Sequence, residues 1–184
     1  MSERRTHTWL CEDGLHHAHG WPDIRCWVDG AFDSVRRRVG VGIWYQRKGS
    51  FDHFGGSTSW QLAEDWPEHF CCETFAVWEC LRLLKEIPSE APAKEVTIFN
   101  DNLPLMQRLN WGTNPKKFPL LHRALLELAC ELDRSGLDLR FCWSRRTETG
   151  MWFADDYAKA GLLRRDCTRS IPVKMLRIPD ADQQ

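Results

Sequence analysis

The apolar pattern changes period near Cys72, and no other feature of the chain constrains its fold as much. Before that point apolar residues come in β-type runs: Ile24 to Phe32, then "VGVGIWYQRKG" with a turn at Lys48 and Gly49, then a weaker third run, "SFDHFGGSTSW". From Cys72 onward the spacing is helical, with Ala76, Val77, Cys80, Leu84 and Ile87 at three- and four-residue steps until Pro88 ends the pattern. "KEVTIFND" then reads as a buried strand ending at Asp101, and "LPLMQRLN" as a short helix with Pro104 near its start. "FPLLHRALLELACELDRSG" reads as a longer helix closed by Gly136, "LDLRFCW" as a strand, and "FADDYAKAGLL" as the last helix, before a tail, "IPVKMLRIPDADQQ". Hairpin strands followed by alternating helices and strands predict an α/β layered fold, a mixed sheet covered by helices. In such sheets, sites form at the carboxyl ends of strands.

One residue violates the first strand. Asp29 sits near the middle of "IRCWVDGAFD", where a buried carboxylate must be protonated, paired or bound to a cation. Three more acids occupy unusual places: Glu73 on the apolar stripe of the first helix, Asp101 at the end of the fourth strand, and Asp155 opening the last helix. Asp155 precedes Ala158 and Leu162 by helical steps, which aims it inward, whereas Asp156 aligns with Lys159 and faces solvent. Asp33 reads as a turn residue. Clustered carboxylates raise one another's pKa unless divalent cations neutralise them. All-oxygen ligands suit Mg²⁺ or Mn²⁺, and two such ions about 4 Å apart clamp the attacking and leaving oxygens of a phosphoryl displacement.

Composition bounds the rest. With 184 residues, 42% of them hydrophobic, the chain has the size of one domain able to bury a substantial core. No apolar run is long enough to span a membrane, and "MSERRTHTWLCEDG" lacks the apolar stretch of an export signal, so a soluble cytoplasmic protein is expected. The eight cysteines are scattered, without a CxxC pair, and read as reduced thiols. A net charge of -1 confines any attraction for nucleic acid to local basic patches. Of the ten tryptophans most should be core, with a few free to line a groove. The cluster of His16, His17 and His19 is either a metal site or a solvated turn.

The pieces "WVDGAFD", "VGVGIWYQRKG", "CCETFAVWECL", "VTIFNDN" and "SRRTETGMWFADDYAKAG" resemble, in order, the motifs of type 1 ribonuclease H, from about Arg25 to Leu163. The resemblance implies a ribonuclease H-like fold with a mixed five-stranded sheet, its first three strands antiparallel, and helices on both faces. It implies an N-terminal extension over 1–22, a catalytic domain over 23–166 and a tail over 167–184. It also implies an endonuclease in which Asp29, Glu73, Asp101 and Asp155 hold two Mg²⁺ ions, with Mn²⁺ an alternative. Those ions activate a water and stabilise the leaving 3′ oxygen, cutting the RNA strand of an RNA/DNA hybrid. Asp29 would bridge both ions.

The chain departs from the family pattern in three places. The loop "WSRRTETGMW" has no histidine where many members carry one, which makes Arg145 and Arg146 its candidate phosphate contacts. "EHFCCE" stands where many relatives place asparagines that read the 2′-OH groups. "NWGTNPKKFP" carries Lys116 and Lys117 where some relatives have a fuller basic protrusion, so a protein partner supplying substrate affinity is a further expectation. "VRRRVG", Arg36 to Arg38, is either a nucleic-acid contact or a solvated hairpin, and Gly30 is a place where backbone and substrate can approach closely. Two other functions remain open: a nuclease of this fold acting on DNA or single strands, and a non-cleaving binding or assembly module.

Overall fold

The computed structural model describes residues 22–49, 53–61, 70–86, 94–112, 119–164 and 169–170. His16, His17, His19, Lys116, Lys117, Cys11 and Cys167 lie outside them. Three strands come first, β1 (Ile24–Asp33), β2 (Arg38–Arg47) and β3 (His53–Gln61), followed by α1 (Phe70–Glu86), β4 (Glu95–Asn100) and α2 (Leu103–Trp111). Then come α3 (Pro119–Arg134), β5 (Asp138–Trp143), α4 (Thr149–Leu163) and a two-residue strand, β6 (Arg169–Ser170).

The sheet order is β5-β4-β1-β2-β3-β6. β1, β2 and β3 form the expected antiparallel meander, while β4 joins β1 and β5 joins β4 in parallel. The five-stranded sheet is as anticipated. β6 adds a short parallel strand beside β3 within the stretch expected to be tail, too short to leave any periodicity in the sequence. The β1–β2 turn is set by Asp33, whose Oδ1 accepts hydrogen bonds from the N–H groups of Val35 and Arg36.

Strand alternation sorts the core onto two faces. Val28, Val39, Val41, Ile43, Val96, Ile98 and Phe141 pack against α1, α2 and α3. Trp27, Trp44, Phe99 and Cys142 point the other way and pack against Met151 and Ala154 of α4. The β2 residues on this second face beside Trp44 are Gly40 and Gly42. A Cβ on Gly42 would lie 1.9 Å from the Ala154 carbonyl oxygen, and one on Gly40 2.0 Å from that of Ala158, so the α4 backbone rests directly on the sheet.

The last helix begins earlier than the sequence suggests. Thr149 opens it, so Asp155 lies in its second turn instead of at its start. "TETG" looks like a loop because Thr and Gly are poor helix formers. Gly150 is there for packing: a Cβ on it would come within 2.3 Å of the Trp27 ring. Cys26, Cys72, Cys80 and Cys142 are buried free thiols, as expected of reduced cysteines. Among the described residues no helix is long and apolar enough to cross a membrane. Trp27, Trp44, Trp60 and Trp78 are core, whereas Trp111 and Trp152 are exposed.

Candidate active site

The parallel pairing of β1 with β4 ends at Trp27 and Phe99. One step beyond, the pairing stops, and the acids collect there, at the carboxyl end of β4. Asp29, still within β1 and paired with Gly42 of β2, is 5% exposed. Glu73 comes from the first turn of α1, and Asp101 immediately follows β4. One carboxylate oxygen from each of Asp29, Glu73 and Asp101 lies within 4.8 Å of the other two.

Three carboxyls this close titrate abnormally. Burial pushes Asp29 up to about 7, assisted by the negative charges of Asp101 and Asp155. Burial also drives Glu73 well above the usual carboxylate range, with the Asp29 charge second, and a hydrogen bond links the two carboxyls. Asp101 is raised by burial and pulled back by the guanidinium of Arg146. Burial and mutual repulsion thus favour the protonated form of each carboxyl of the trio.

Asp155 stands apart from the trio and is held by cations of the chain itself. Lys159, one turn further along α4, bonds its Oδ2, and Arg146 Nη2 lies 3.6 Å from its Oδ1. Arg146 Nε lies 3.8 Å from Asp101 Oδ2, so one exposed guanidinium links two of the four predicted acids. Asp155 is half-buried and Asp156 exposed, in keeping with the helical-face expectation.

The other expected contacts are less concentrated. Arg145 is exposed in the loop before α4. Gly30 is packed on α1, where a Cβ would lie 2.5 Å from the Cys72 carbonyl, so the close backbone approach at this glycine is made by a helix. In the hairpin, Arg38 donates to the Arg164 carbonyl and Arg36 pairs with Asp33, which ties these arginines into local structure.

The sequence reading missed Asn100. This fully buried amide donates to Glu73 Oε2 at 2.7 Å and to the Val28 carbonyl at 2.8 Å, and its Oδ1 accepts from the Asn102 N–H at 2.9 Å. The signal available was a polar side chain at the end of an otherwise apolar strand, overshadowed by the acid beside it.

The donor set fits a hard divalent cation: oxygen ligands only, mutually repelling and partly desolvated. No family model and no curated protein sequence matches the chain. Several solved structures match its fold. RNase H1 from the halophilic archaeon Halobacterium salinarum NRC-1 is 14% identical over 76% of this chain and 96% of its own, with a TM-score of 0.57. LC11-RNase H1, isolated from compost by a metagenomic approach, is 15% identical over 76% and 95%, with a TM-score of 0.58. It has also been solved in complex with an RNA/DNA hybrid, a structure matched at 14% identity over 76% and 99% with a TM-score of 0.55. The N-terminal RNase H domain of rv2228c from Mycobacterium tuberculosis is 14% identical over 77% and 96%, with a TM-score of 0.55. With its strand order, its meander and its helices on both faces, the chain has the ribonuclease H-like fold.

Proposed function

We propose that the chain is a divalent-metal-dependent endonuclease that hydrolyses the RNA strand of RNA/DNA hybrids, with Asp29, Glu73, Asp101 and Asp155 as its metal-holding acids. The observation that carries this reading is the trio of Asp29, Glu73 and Asp101, whose oxygens converge within 4.8 Å where β1 and β4 separate. Its placement at the carboxyl end of a parallel strand is where α/β sheets put their chemistry. The hybrid held by one neighbour of the same fold supports the choice of nucleic acid.

Bound Mg²⁺ or Mn²⁺ would supply a water of lowered pKa and neutralise charge on the leaving oxygen. Asp29, Glu73 and Asp101 provide the first set of oxygen ligands. Asp155 provides a fourth carboxylate from α4, kept in place by Lys159 and Arg146. The exposed guanidinium of Arg146 is well placed to turn from Asp101 and Asp155 toward a substrate phosphate, with Arg145 beside it. Lys116 and Lys117 complete the proposed nucleic-acid contacts, whereas Gly30 is taken up by its packing on α1. With a net charge of -1, the chain has little long-range pull on a polyanion, and added affinity from a protein partner belongs to the same reading.

The test is to incubate the purified protein and its Asp29→Asn variant with labelled RNA/DNA hybrid, double-stranded DNA, double-stranded RNA and single strands, in Mg²⁺ or Mn²⁺. Cleavage of the hybrid alone, lost in the variant, is the expected result. Cleavage of DNA instead would replace the substrate, and no cleavage of any nucleic acid would overturn the enzyme reading.

A further inference from the structure

We propose that Asn100 is the positioning residue of the acidic site, the side chain that fixes Glu73 relative to the backbones carrying Asp29 and Asp101. The inference rests on the nuclease reading for what the acids do, but its own ground is separate. Asn100 is the last residue of β4, and its backbone carbonyl accepts from the Ser144 N–H, extending the β4–β5 ladder. On the other side β4 no longer pairs with β1, and the Val28 carbonyl, one residue before Asp29, takes the Asn100 amide instead of a strand N–H. The side chain thus replaces a ladder hydrogen bond at the point where the sheet opens.

The orientation of the amide follows from its backbone partners. A carbonyl can only accept and a backbone N–H can only donate, so Nδ2 faces Val28 and Oδ1 faces Asn102. The second Nδ2 hydrogen then points at Glu73 Oε2, which must accept it. One fully buried side chain therefore touches the residue before Asp29, the carboxylate of Glu73 and the residue after Asp101. An aspartate here would lose both donors, and a shorter side chain could not reach all three partners.

The experiment is a double-mutant cycle read by Mn²⁺ uptake, measured calorimetrically without nucleic acid on the wild type, N100S, E73Q and the double variant. N100S is expected to weaken Mn²⁺ binding about 10- to 100-fold, the usual effect of losing a side chain that orients a ligand. In the E73Q background the same change should alter binding less than about twofold, because the side chain Asn100 orients no longer offers the metal a carboxylate. A merely structural role would lower the melting temperature equally in both backgrounds and leave the effects on Mn²⁺ additive, and that result overturns the proposal. Should N100S fail to fold, N100T, suited to a strand, takes its place. In metal-free protein, NMR of the Asn100 side-chain amide should show a hydrogen-bonded proton that moves when Glu73 is replaced by Ala; an unmoved proton also overturns the proposal. If the wild type takes up no Mn²⁺, the nuclease reading falls and the role with it. If the wild type binds and N100S binds equally well, only the role of Asn100 falls.

Discussion

Asp29 lies within β1 with its side chain buried. Its carboxyl is raised to about 7 by burial and by the charges of Asp101 and Asp155, so above that pH the metal-free protein carries an ionised group its surroundings disfavour. Asp29→Asn should therefore raise the melting temperature of metal-free protein at pH 8 by several degrees, worth about 1–3 kcal/mol, and change it little at pH 4.5, while hybrid cleavage falls to background. Equal melting curves at pH 8 would show that the site is not electrostatically strained. Arg146 acts in the opposite sense on Asp101. Arg146→Ala should push the Asp101 titration upward, followed by carboxyl carbon NMR, and Arg146→Lys should restore part of the shift. The acids stood out in the sequence because Asp29 and Glu73 interrupt apolar patterns and Asp101 and Asp155 stand at the edges of predicted elements. Asn100 did not, and Arg146 was legible only as a candidate phosphate contact, because their links to residues 28, 73, 101 and 155 are contacts that no spacing within one element encodes.

Helices α1 and α4 place their acids by different means. α1 is buried along its middle, and it carries Glu79, with no exposed surface, paired to Arg82 through two hydrogen bonds of 2.7 and 3.0 Å. Arg82→Ala should destabilise the protein by about 2–4 kcal/mol in chemical denaturation, since it strips the guanidinium from a buried carboxylate. A loss below about 0.5 kcal/mol would mean that other contacts of Glu79 suffice. Glu79 gave no sign in the sequence, where a polar residue on a helix reads as a solvated position. α4 is seated instead by missing side chains on β2. Gly42→Ala would force a methyl against the Ala154 carbonyl and should cost about 1–3 kcal/mol. Gly56→Ala, with open space around its Cβ, should stay within about 0.5 kcal/mol. The start of α4 was misread for a related reason: Gly150 serves the Trp27 ring, and its poor helix propensity hid the first turn.

Across the whole molecule the order and type of the elements were readable because alternation and helical spacing are one-dimensional, as the antiparallel meander and the five-stranded sheet show. The parting of β1 from β4 was not, since it is a relation between strands far apart in sequence. Asp29, Glu73 and Asp101 all have folded-state pKa values raised above those of free carboxyls. Their contribution to stability is fully present below about pH 4 and is lost as pH rises through the folded values, near 7 for Asp29. Metal-free protein should accordingly melt at lower temperature as pH climbs from 5 to 8, and Mn²⁺ should reverse the trend; a melting temperature that rises over this interval would contradict the assignment. The same trio has a consequence for how the protein loads. Because burial favours the protonated carboxyls, a divalent ion taken up under the proposed function would have to displace protons. A site of the proposed kind would work as a cation exchanger, with the acidity of the medium, as much as the supply of metal, setting the fraction of molecules charged for work.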